Sequence, residues 1–118
     1  VSAPLVQVIG TRDSADTRKA ERFFKERRVP MAFVDLKERP LSPGELENVA
    51  RSVGADRLLD RESKAYIRSG LAYQVVDPIE AALKDPLVLK MPIVRRGREA
   101  TLGYCPEVWK TWLSASAP

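Results

Sequence analysis

The chain has 118 residues, 44% of them hydrophobic, and a formal charge of +4. That size and apolar content suit one globular domain with a working core over 1–118, and no stretch approaches the roughly 20 apolar residues of a membrane span, so a soluble protein is expected. Histidine is absent and cysteine occurs once, at Cys105, which excludes His-based catalysis, an internal disulfide and a Cys/His metal cluster within the chain.

Residues 5–9, Leu-Val-Gln-Val-Ile, read as an apolar strand that runs into a short polar turn. A helix follows over about 14–28, with Ala20, Phe23 and Phe24 on its apolar side. Ser14 is its N-cap, and Arg27 and Arg28 suit the C-terminal end of the dipole. Residues 30–36 alternate as a half-buried strand. Ser42-Pro43-Gly44-Glu45 carries a helix start: Ser at the N-cap, Pro at the first helical position and Glu at the third, a capping box. Leu46, Val49, Ala50 and Val53 form the apolar stripe of that helix, and Gly54 ends it.

The middle segment, about 55–85, reads as short amphipathic helices broken at Gly70 and Pro78. Leu58, Leu59, Ala65, Tyr66 and Leu71 carry the first part, and Ile79, Ala82 and Leu83 the second. A strand is predicted at 93–95, a hairpin turn at 96–99 and a returning strand at 100–104. Pro106 opens a last helix bearing Val108, Trp109, Trp112 and Leu113, with the two tryptophans as core anchors. The tail, 114–118, is expected to fray.

Twenty basic and sixteen acidic residues are interspersed, with local basic groups at 25–28 and 95–98. A nucleic-acid binder concentrates its cations on one face beside aromatics available for stacking. The interspersed pattern fits solvated helix and hairpin surfaces instead, and direct DNA binding is not expected. No signal-peptide pattern is present, and a cytoplasmic location is expected.

The order β-α-β, helical middle, β-β-α, with Met91-Pro92 just before the hairpin, is thioredoxin-like. It predicts an α/β fold, a mixed four-stranded sheet flanked by helices, with a helical insertion at about 55–88. Four passages narrow the match: Ser14-Ala15-Asp16-Thr17-Arg18-Lys19-Ala20, Val34-Asp35-Leu36-Lys37-Glu38-Arg39-Pro40-Leu41-Ser42, Arg61-Glu62-Ser63-Lys64-Ala65-Tyr66, and Lys90-Met91-Pro92-Ile93-Val94 with Leu102-Gly103-Tyr104 behind it. In their order and spacing the chain resembles the arsenate reductase (ArsC) family, which also contains the Spx transcriptional regulators and the YffB-like reductases.

That resemblance implies a cis proline at Pro92, structural and facing the active-site loop. It also implies a nucleophilic cysteine at the position held here by Ser14, with Ser or a second Cys where Thr17 stands. In the family a thiolate attacks the arsenic oxyanion and a low-molecular-weight thiol resolves the adduct. A serine hydroxyl has no comparable redox chemistry, and no His or Cys lies nearby in sequence to activate it. Ser14 as an N-cap accounts for the residue without catalysis. The family's reductases also place an arginine directly before the proline, where this chain has Met91, leaving Lys90 as the neighbouring cation.

Arg12, Arg61 and Lys90 are the candidate anion-binding residues, and for Arg12 and Arg61 exposed surface charge is the competing reading. Cys105 has two readings. It is a partly buried small side chain, or it is a relocated thiol near the start of the last helix, where a dipole favours the thiolate. The expected function is therefore that of an arsenate reductase-like protein lacking the signature thiol, a binding or regulatory protein. The alternative is an oxidoreductase acting through Cys105 or a substrate-supplied thiol. No cofactor is expected beyond glutathione or another low-molecular-weight thiol. The expected partners are RNA polymerase, by analogy with Spx, or a small anion or thiol.

Overall fold

A computed structural model describes residues 6–115. Leu5, at the start of the predicted first strand, lies outside the described residues, as do 116–118 of the tail. Four strands form one sheet: β1 (Val6–Gly10), β2 (Met31–Asp35), β3 (Ile93–Arg96) and β4 (Glu99–Leu102). Their order is β2-β1-β3-β4, with β1 parallel to β2 and the other pairs antiparallel. The sheet is flanked by α1 (Ala15–Glu26), α2 (Pro43–Val53), α3 (Lys64–Arg68), α4 (Pro78–Lys84) and α5 (Pro106–Ala115). This is the thioredoxin-like arrangement expected from the sequence, and the Met91–Pro92 peptide is cis.

The period of two along the strands sorts the core into two sides. Val6, Val8 and Val94 face one way and pack with Ala20, Phe23 and Phe24 of α1 and with Trp109 and Trp112 of α5. Ile9 and Ile93 face the other way and pack with Leu46 and Val49 of α2 and with Leu58, Ala82 and Leu89 of the middle segment. Each such side chain, fully buried, contributes about 1.5–3 kcal/mol relative to exposure. Trp109 is the largest of them, and its indole N–H donates to Thr101 Oγ1 at 2.9 Å, so its burial leaves no polar group unpaired. Both tryptophans are core anchors, as expected.

Local signals start and stop the elements. Ser14 caps α1 by accepting from Thr17 N–H at 3.3 Å. Ser42 and Glu45 form the full capping box on α2. Gly54 ends that helix at φ 93, a backbone region costly for a residue with a Cβ. The middle segment resolves into α3 and α4 with three short 3₁₀ turns, at Ala55–Arg57, Leu71–Tyr73 and Pro86–Val88.

Several boundaries differ from expectation. β2 begins at Met31, not Pro30, since proline has no N–H to give the ladder. β3 runs on to Arg96, which pairs with Glu99, so the turn is only Gly97-Arg98, with Gly97 at φ 62. A glycine first in a two-residue hairpin loop is the type II′ preference. β4 stops at Leu102, two residues early, because Gly103 turns the chain at φ 78. Leu83 and Val108 are 40% and 42% exposed. They lie off the apolar stripes to which periodicity assigned them, because Ala81 and Ala82 already fill the inward side of α4 and Trp109 and Trp112 that of α5. The helix α5 continues to Ala115, so the tail expected to fray from 114 begins inside regular helix.

Candidate functional site

The loop between β1 and α1 is built by backbone bonds before any side chain acts. Ser14 N–H donates to Thr11 C=O at 3.1 Å, and Arg18 N–H closes the first helical turn on Ser14 C=O at 3.1 Å. The Ser14 hydroxyl is committed to the helix end through Thr17 N–H. Its neighbour in space is the cis-proline loop: Thr11, itself buried, donates its hydroxyl to the Met91 sulfur at 3.5 Å. Pro92 is buried, and its carbonyl accepts from Gly103 N–H at 2.9 Å. The loop, the proline and the start of the last connection therefore meet at one end of the sheet.

A shallow concavity of about 300 Å³ opens beside Ser14, lined by Ser14, Ala15 and Asp16 of the loop, Asp60 and Ser63 of the middle segment, and Leu87, Leu89 and Met91. No lysine or arginine is among these residues. Asp60 enters with a partly used carboxylate, accepting from Glu62 N–H at 3.0 Å, and Ser63 caps α3 by accepting from Tyr66 N–H at 3.1 Å. Asp16 lies 3.9 Å from Lys19 in an exposed pair, which offsets little of its charge.

Electrostatics then decides what the concavity can hold. A helix N-terminus favours an anion by about 0.3–1 kcal/mol. A carboxylate about 4 Å from that anion opposes it by about 1 kcal/mol per unit charge in water, and by about 4 kcal/mol at the effective dielectric of a protein surface. With two carboxylates and no cation among the lining residues, an anion seated near either carboxylate is disfavoured. An oxyanion carrying two charges is the poorest fit.

The sequence-predicted site residues do not converge. Ser14 and the residue before the cis proline, Met91, share the concavity. Arg12 is drawn away along the helix, 3.8 Å from Glu21 and stacked 4.4 Å above the Phe33 ring. Arg61 and Lys90 are exposed and outside the concavity wall. Lys90 runs its stem past Gly103, where a Cβ would sit 3.6 Å from Lys90 Cε. Thr17 is fully buried, and its hydroxyl has no hydrogen-bond partner among the described residues. It points toward Gly10, where a Cβ would lie 2.5 Å from Thr17 Oγ1.

Cys105 is partly buried on the face of the sheet covered by α1 and α5, packed against the cluster of Val8, Phe24 and Trp109, and its S–H donates to Leu102 C=O at 3.2 Å. It does not line the concavity. Sequence reasoning missed Asp60, Leu87 and Leu89 as wall residues and Thr11 as the link to Met91. The capping turn that begins at Asp60 was visible as Arg61-Glu62-Ser63, but nothing in it said which loop it would face. Among the described residues no group of His, Cys, Asp and Glu is placed to hold a metal ion, and none of the described helices is long and apolar enough to cross a membrane.

The order of the elements, the mixed sheet and the cis proline beside this loop define a thioredoxin-like fold. Known structures share that architecture at low identity. A YFFB protein superposes with a TM-score of 0.81 at 19% identity, over 90% of this chain and 96% of that one. An ArsC family related protein from Bacteroides fragilis gives 0.81 at 15%, over 93% and 98%. An arsenate reductase from Vibrio cholerae gives 0.77 at 18%, over 91% and 96%. No family model and no curated protein matches the sequence.

Proposed function

We propose that the chain is an arsenate reductase-like protein that has lost the family's thiol chemistry and works as a binding or regulatory protein. The observation that carries this reading is the content of the Ser14 concavity: a serine spent on capping, an apolar Met91 before the cis proline, and carboxylates from Asp16 and Asp60. A reductase of this type needs a thiolate and a cationic cradle at the same place, and neither is among the residues lining this wall. The one sulfhydryl of the chain packs with the α1 and α5 cluster and is not among the residues lining that wall. Within the family the Spx regulators set the pattern of action by contact, and RNA polymerase is the partner proposed on that analogy.

The competing reading, a thiol-dependent oxidoreductase, needs Cys105 to do the work. The two separate in a turnover assay with arsenate, glutathione and a glutaredoxin. The expected result is no reduction above the protein-free rate, for the natural chain and for Ser14→Ala alike. Turnover that disappears in Cys105→Ser would establish the oxidoreductase instead.

A further inference from the structure

A concavity of about 470 Å³ lies away from the Ser14 loop, between α1 and the start of α5. Its wall carries Lys19, Arg22, Arg27 and Lys110 against one carboxylate, Glu26, with Tyr104 and the edge of Phe23 as its aromatic part. Four cations and one acid leave a net of three positive charges in this groove, out of +4 for the whole chain. A surface with that imbalance focuses a positive potential and draws anionic partners.

The cations are available to a partner. Arg22 has no hydrogen bond or ion pair among the described residues, and it also borders a second concavity with Arg12, Arg18 and Lys25 against the single carboxylate of Glu21, which extends the net positive surface along α1. Lys19 and Lys110 have only exposed intrahelical pairs, with Asp16 at 3.9 Å and Glu107 at 3.8 Å, each worth little. Arg27 is held flat, 3.8 Å over the Phe23 ring, while donating to Phe23 C=O. Tyr104 is 43% exposed, with Lys19 5.7 Å from its ring centroid. An exposed ring beside lysine and arginine heads accommodates an apolar or aromatic side chain flanked by carboxylates.

We infer that the groove between α1 and α5 docks an acidic protein segment carrying an apolar or aromatic residue, a function separate from anything at Ser14. A nucleic acid fits less well, because its unbroken row of phosphates would meet Glu26 inside the groove and Asp16 and Glu107 at its rim. An acidic peptide spaces its carboxylates and can leave those positions neutral.

The test uses the whole chain and a short fluorescein-labelled peptide of Glu and Asp around a central Phe, read by fluorescence anisotropy at low and moderate salt. Circular dichroism confirms that each variant is folded. The double variant Arg22→Glu/Lys110→Glu is expected to weaken binding by about tenfold, the scale of several surface charge pairs reversed together. The control Arg51→Glu/Arg98→Glu carries the same charge change on the opposite side of the molecule, where Arg51 and Arg98 line a separate concavity, and is expected to bind within about twofold of the natural chain. Equal weakening by both double variants, no binding by the natural chain, or tighter binding of a single-stranded oligonucleotide of matched charge would each overturn the assignment. These outcomes are independent of arsenate turnover, so this proposal and the loss of thiol chemistry fail separately.

Discussion

Gly10 and Ser14 explain how the loop between β1 and α1 holds its shape. Gly10 is the last residue of β1, and a Cβ there would stand 2.5 Å from Thr17 Oγ1 and 3.1 Å from its Cγ2. Thr17 is fully buried in the first turn of α1 and has nowhere to retreat. Gly10→Ala is therefore expected to cost about 1–3 kcal/mol, the range for overpacking a closed site, measured as a fall in the urea midpoint at constant slope. Ser14→Ala should cost about 0.5–1 kcal/mol, the lower part of the range for losing an N-cap, because the bond it removes is long at 3.3 Å. The N-cap role of Ser14 was legible from its place before an apolar-periodic run. The inward turn of Thr17 was not, since it depends on where Gly10 lies in the strand beside it.

At the scale of elements, the start of α2 ties sequence signal to electrostatics most directly. Glu45 accepts from Ser42 N–H at 3.0 Å and from Arg39 at 3.1 Å, with Arg95 of β3 at 3.9 Å. Burial pushes its carboxyl up, but the Ser42 N–H and the Arg39 guanidinium together outweigh that, and the net effect holds Glu45 below its ordinary value. A folded pKa below the unfolded one stabilises the protein at pH above the ordinary carboxyl value of about 4.3 and loses that contribution as pH falls through the folded pKa. Urea midpoints recorded downward from pH 7 should drop through this acid range, and the drop should be smaller in Glu45→Gln. The capping box was readable in four consecutive residues. The Arg95 contact was not, because it joins residues fifty apart in sequence (positions 45 and 95). The end of β4 and the faces of Leu83 and Val108 escaped for a related reason: Gly103, the small alanines of α4 and the two tryptophans of α5 decide them through packing and the chain's path.

At the scale of the whole molecule the two faces of the sheet carry separate cores. Ser14, Met91, Asp60 and Ser63 gather around one concavity at the end of the sheet where α1 begins, while Cys105 packs with the α1 and α5 cluster and is not among the residues lining it. The thioredoxin-like order of elements could be anticipated from local patterns, and the cis Pro92 from the resemblance that this order carries. The acidic wall of the concavity could not, because Asp60 arrives from a segment forty-six positions after Ser14 (60 against 14) and reaches it only through packing. The two proposed functions use separate concavities, one at the start of α1 beside Ser14 and one further along α1 against α5.

The measurement that bears most directly on the loss of thiol chemistry is the reactivity of Cys105 itself, followed by alkylation and mass spectrometry with and without arsenate and oxidised glutathione. A side chain partly buried against Trp109 and bonded to Leu102 C=O should be modified slowly, at a rate arsenate does not change, and should form no stable glutathione adduct. Rapid alkylation that arsenate blocks, together with a stable glutathione adduct, would contradict the account and make this a reductase with a displaced nucleophile.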